Sequence, residues 1–91
     1  MIQFLAHGEG DNVAVAVSDI KSGDGVTVLN METDEKFKIK SQVDIPLGHK
    51  IALIDFKVGD TIIKYNNDIG RVVAEIKKGD HVHVHNVKTK R

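Results

Sequence analysis

The apolar positions of this chain fall in short β-branched runs broken by glycine and aspartate. The runs cover Val13 to Val17, Val26 to Leu29, Phe37 to Ile39, Lys50 to Ile54, Thr61 to Tyr65, Val72 to Ile76 and His81 to Val87. Alternation of side chains in several of them marks half-buried strands. Val13, Val15 and Val17 share one face, and Ala14 and Ala16 form a second, small-residue face. No window holds a helical period long enough to matter. Val72-Val73-Ala74-Glu75-Ile76-Lys77 has the makings of a helical turn, but β-branching favours strand there. The pattern predicts an all-β fold, a barrel or compact sandwich of short strands.

A recurring phrase separates the runs. Ile20-Lys21-Ser22-Gly23-Asp24, Phe56-Lys57-Val58-Gly59-Asp60 and Ile76-Lys77-Lys78-Gly79-Asp80 are three copies, and Ile45-Pro46-Leu47-Gly48-His49 is a looser fourth. Each reads as the end of one segment, a tight turn at glycine, and entry into a strand. The irregular spacing argues for repeated turn chemistry rather than a solenoid.

Composition narrows the function. Ninety-one residues, 41% of them apolar, give one domain over 1–91 with little room for a deep enclosed site. Thirteen basic side chains balance thirteen acidic ones, which argues against nucleic acid as a partner. The terminal Lys88-Thr89-Lys90-Arg91 reads as a solvated tail. The chain has no cysteine, which removes thiolate metal sites and cysteine nucleophiles. Its first residues lack the basic lead of a signal peptide, and no apolar run approaches the roughly 20 residues of a membrane span. A cytoplasmic protein is expected.

Four stretches carry candidate chemistry. In an extended His81-Val82-His83-Val84-His85-Asn86, the three imidazoles share one face and the valines the other. Imidazole can bind metal, move a proton or hold an anion near neutral pH, although exposed polar residues on an amphipathic strand give the same pattern. His49 and Lys50 follow a turn directly and can pair a switchable donor with a fixed charge, or be plain loop residues. Lys64 and Tyr65 are expected to end a strand, with Asn66-Asn67-Asp68 turning after them and Tyr65 in the core. His7-Gly8-Glu9-Gly10-Asp11-Asn12 is a polar loop that either binds a cation or simply turns the chain.

Taken in order, Asp11-Asn12-Val13-Ala14-Val15-Ala16, Ile45-Pro46-Leu47-Gly48-His49-Lys50-Ile51-Ala52-Leu53, Ile63-Lys64-Tyr65 with Ile69-Gly70, and Val82-His83-Val84-His85-Asn86 resemble the small SAF-type domain of the altronate and galactarate dehydratase family. The same unit occurs as a separate chain, including the small subunit of sulfolactate sulfo-lyase. The family pattern has glycine where this chain has Asn66, a residue that tolerates the same left-handed backbone.

The resemblance implies a β-clip fold and a lyase small subunit that dehydrates a sugar acid together with a separate large catalytic subunit, or alternatively releases sulfite from sulfolactate. It implies His83, His85 and His49 as catalytic residues, and Asp11, Asn12, Lys50, Lys64 and Asn86 as substrate-binding residues. His81 ranks lower, being outside the motif. A divalent metal such as iron(II) is expected on the large subunit rather than here. The expected partners are that subunit and a small carboxylate, with room for a homo-oligomer. A non-catalytic carboxylate- or metal-binding module is the competing class.

Overall fold

The computed structural model describes residues 2–89 as nine short strands, and no helix occurs among them. They are β1 (Phe4–Ala6), β2 (Val13–Ala16), β3 (Gly25–Asn30), β4 (Lys36–Lys40), β5 (Lys50–Ala52), β6 (Thr61–Lys64), β7 (Asn67–Val72), β8 (His81–Val82) and β9 (Val87–Lys88). A six-stranded sheet runs in the order β4-β3-β1-β2-β5-β8, and a three-stranded sheet in the order β6-β7-β9. Only the β1–β3 pair is parallel. The all-β expectation holds.

Strand alternation splits the interior in two. On one face of β2 and β5, Ala14 lies opposite Ile51, and both join a core with Phe4, Val28 and Ile39. On the other face, Val13 lies opposite Ala52, and both join a second core with Phe56, Ile62, Val72, Ile76 and Val82. The small-residue face of β2 is therefore as buried as its valine face, while Val17 is exposed. Alanine suits a strand with an apolar layer on each side, because it lets the layers approach.

Three expectations about strands change. β1 lacks β-branched residues and was not foreseen, yet it lies between β3 and β2, with Phe4 and Ala6 buried. The strand expected at Val72 to Ile76 ends at Val72, and its bulk lies earlier, over Asn67–Val72. The hairpin closes one residue sooner than expected: Lys64 pairs with Asn67, so Tyr65 and Asn66 are the whole loop, at φ 55° and 60°. Two consecutive positive φ values are what a two-residue hairpin matched to strand twist requires. Tyr65 is accordingly exposed rather than in the core.

The four glycine phrases do form tight turns, with Gly23, Gly48, Gly59 and Gly79 at φ between 86° and 96°. They also pair with one another. Ile20 bridges Ile45, and Phe56 bridges Ile76, each through two reciprocal backbone bonds. In three copies the aspartate carboxylate accepts the amide three residues back: Asp24 from Lys21, Asp60 from Lys57 and Asp80 from Lys77.

Candidate functional site

The expected single strand from His81 to Val87 is interrupted. β8 stops at Val82, residues 83–86 turn, and β9 begins at Val87. Val84 is 77% exposed and backs no core. The imidazoles nevertheless meet, for a different reason than alternation along one strand. Ile51 pairs with His81 and Lys50 with Val82, so extending the register by one residue sets His49 opposite His83. Their rings stack with centroids 4.0 Å apart. The His81 ring lies 5.0 Å from His49, 5.5 Å from His83 and 5.1 Å from His85. His49 Nδ1 is 2.8 Å from His81 Nε2. His81, ranked below the motif histidines, is thus the hub of the cluster.

Local sequence explains why His49 is free to join it. His49 stands at the aspartate position of the glycine turn, and its amide still donates to Pro46 O at 3.0 Å, as the aspartate amides do in the other copies. The side-chain lock is missing, because Pro46 has no N–H for position 49 to accept. The side chain at position 49 is released from turn duty and reaches the neighbouring strand.

Asn86 builds the other half. It is buried, donates from Nδ2 to His81 O at 2.8 Å and accepts from the His83 amide at 3.0 Å. Its polar atoms hold the turn that carries His83 and His85, which is the work of a positioning residue. Nδ1 of His83 is buried with no hydrogen-bond partner among the described residues. Such orphans are uncommon in folded chains.

The electrostatics favour the neutral form of two rings, His81 and His83. Burial, then the neighbouring His49, His85, His83 and Lys50, push His81 down to about 4. Burial, then His49, Lys50 and His85, also push His83 down. Lys50 leaves β5 on the opposite face, half-buried, and its ammonium is held below the usual lysine range by burial and by Lys64. One shallow cleft is lined by Lys50, Ile69, His83, Val84, Val87 and Thr89. A second is lined in part by His81, His85 and Asn86. The cluster therefore stands between two clefts, with cationic charge on one side.

Asp11 and Asn12 do other work. The Asp11 carboxylate accepts the amides of His7, Gly8, Tyr65 and Asn66 at 2.9–3.0 Å. Burial raises its pKa, but these four donors outweigh that and hold it below the usual value. Asn12 donates to Thr61 O and accepts from the Ile63 amide. Both side chains tie the residue 7–12 loop to the β6–β7 hairpin, so their bonding capacity is directed inward. The polar loop and the Tyr65 turn, separate features in the sequence, form one clamp. The His7 and Tyr65 rings stack there at 4.1 Å, and the Lys64 ammonium lies 5.4 Å from the Tyr65 ring centre. Lys64 links this clamp to the site through its repulsion of Lys50.

The structure thus gathers His49, His81, His83 and His85 with Lys50 alongside, uses Asn86 as their brace, and sets Asp11 and Asn12 apart. Sequence reasoning did not foresee the central position of His81 in the cluster. The signal that could have found it is the Asp80-His81 turn, whose strand entry lies beside that of the Gly48-His49 turn.

Comparison with known proteins agrees with the geometry. The description of the altronate/galactarate dehydratase SAF domain matches residues 2–90. The alpha subunit of (2R)-sulfolactate sulfo-lyase from Chromohalobacter salexigens is 45% identical over 91 residues, covering 99% of this chain and 97% of that protein. The corresponding subunit from Paracoccus pantotrophus is 54% identical over 55 residues, covering 60% of this chain and 82% of that one. Altronate dehydratase from Escherichia coli is 42% identical over 88 residues, 97% of this chain but 17% of that much longer protein. The chain belongs to the altronate/galactarate dehydratase SAF-domain family.

Proposed function

We propose that this chain is the small subunit of a lyase and shares its active site with a larger catalytic chain. The observation that carries this reading is the match along 97% of a protein that is itself an alpha subunit. The site supports it. Its clefts are open on one side, as expected of half a site, and its groups are of the right kind for elimination beside a carboxylate. Such a reaction removes a proton from one carbon and expels a group from the next, which calls for a base, an acid and positive charge on the developing enolate. Neutral imidazoles supply proton acceptors, and Lys50 supplies charge, with Lys64 behind it.

The substrate class follows the same match. A 2-hydroxy acid bearing a sulfonate on the next carbon carries two anionic groups, and paired lysines suit it. Loss of the C2 proton and of sulfite from C3 leaves an enol that becomes a 2-keto acid, so atoms and charge balance. The second reading, dehydration of a sugar acid, rests on the 42% identity to altronate dehydratase. It uses the same groups, with water as the leaving group.

Reconstitution with the larger partner chain tests both. The expected result is sulfite and keto acid from (2R)-sulfolactate only when both chains are present. Keto acid from altronate or galactarate without sulfite chemistry would select the second reading. Full turnover by the large chain alone would overturn both.

A further inference from the structure

The imidazole cluster supports an inference independent of which substrate is used. We propose that His49, His81 and His83 bind one divalent transition-metal ion on this chain by itself, whatever the partner holds. One ligating nitrogen from each ring can be chosen so that all three lie within 4.8 Å of one another. The rings come from two strand entries and one braced turn, so the fold rather than a flexible segment brings them together.

The spacing suits a metal that replaces a proton. His49 Nδ1 and His81 Nε2 are 2.8 Å apart, a hydrogen-bond distance. Imidazole nitrogens at roughly 2.0–2.1 Å from a tetrahedral ion sit about 3.3 Å from each other, so this pair opens by only a few tenths of an ångström. The third donor comes from His83, whose Nδ1 is buried and has no partner among the described residues. A metal gives that atom a use that no protein group supplies. The stacked His49 and His83 rings require one of the two to turn on loading. The Asn86 brace fixes the His83 backbone while leaving its ring free to do so.

The donor set selects the ion. Three neutral imidazoles without thiolate suit zinc, cobalt, nickel or iron(II) over calcium or magnesium, which prefer oxygen. Three protein ligands also leave at least one coordination position for water or a small-molecule donor.

The test uses the full chain, stripped with chelator and titrated with zinc in the absence of partner and substrate. One equivalent is expected to bind. In the unmodified protein, the ring nitrogens of His49, His81 and His83 are expected to shift together in the nitrogen NMR spectrum, while those of His7 stay in place. Cobalt(II) is expected to give visible bands of a nitrogen-ligated ion. H81A and H83A should each weaken zinc at least about tenfold, the scale on which even outer-shell partners matter, and H7A should leave it unchanged. The proposal is overturned if zinc leaves the three rings unshifted, or binds the H81A/H83A double variant as well as the unmodified chain. The NMR result needs no variant to fold. Because no turnover is measured, failure here leaves the lyase reading standing, and failure of turnover leaves the metal result standing.

Discussion

Nδ1 of His49 and Nε2 of His81 lie 2.8 Å apart, a hydrogen-bond distance at which one nitrogen donates and the other accepts. A proton added to the His81 nitrogen would remove its acceptor lone pair and place a charge in a partly buried cluster beside Lys50. Burial first, and then the neighbouring imidazoles and Lys50, hold His81 down to about 4.

The pH dependence of metal-free stability follows. The folded chain holds His81 near 4 against 6.5 for the free side chain. Between those values the unfolded chain takes up a proton that the folded chain refuses. Stability is therefore expected to fall as pH drops from about 6.5 to about 4, and this term stops growing below that. Urea midpoints measured across this range in chelator should show the slope, and H81N should reduce it. Parallel profiles for the two proteins would refute the assignment.

The Pro46–His49 turn makes a separable prediction. H49D alone gains no lock, since position 46 has no amide hydrogen. P46K combined with H49D recreates the arrangement of Lys77 and Asp80. The double-mutant cycle should show favourable coupling of about 0.5–1.5 kcal/mol, the net worth of a typical hydrogen bond. Chemical denaturation of the four proteins measures it, and additivity would show that the missing lock is not what frees His49.

Asp11→Asn should loosen the clamp between the residue 7–12 loop and the Tyr65–Asn66 turn. An amide has one acceptor oxygen where the carboxylate offers two to four donors. The expected cost is about 1–2 kcal/mol, or several degrees in Tm for a chain of this size. The folded-state pKa of Asp11 is lowered, so its contribution is present above 3.8 and is lost as pH falls through the folded value. The acid limb of the stability profile should be shallower in the variant. An unchanged Tm would mean that the turn holds its positive φ values unaided.

Gly79→Ala and Gly23→Ala separate backbone strain from crowding. Both residues have φ near 90°, and a Cβ at Gly23 meets nothing within 4 Å. At Gly79 it would press into the carbonyl oxygen of Lys40. Gly23→Ala should cost roughly 1–2 kcal/mol, and Gly79→Ala distinctly more. Equal losses would argue against the contact.

Much of this was legible in the sequence, and the failures have physical causes. The glycine turns and the all-β class follow from local chemistry, because Gly-Asp at positive φ leaves few alternatives. The histidine row was legible only as composition. Its geometry depends on β5–β8 register, a long-range pairing that no local period reports. β1 escaped notice because Phe4-Leu5-Ala6 owes its strand to neighbours on both sides rather than to propensity. Asp11, Asn12 and Asn86 have the chemistry of substrate ligands, and only the structure reveals the loop-bracing hydrogen bonds that they also make.

The β2–β5–β8 layer has a mechanical meaning. Ile51 presses on one core and Val82 on the other, one register step apart, at the end of the layer where the imidazoles hang. The ladder is therefore a seesaw with an oily bed on each side. Volume added or removed beneath either residue is expected to press on this layer from opposite sides. Core substitutions beneath Ile51 or Val82 are thus expected to alter the spacing of the rings without replacing any of them.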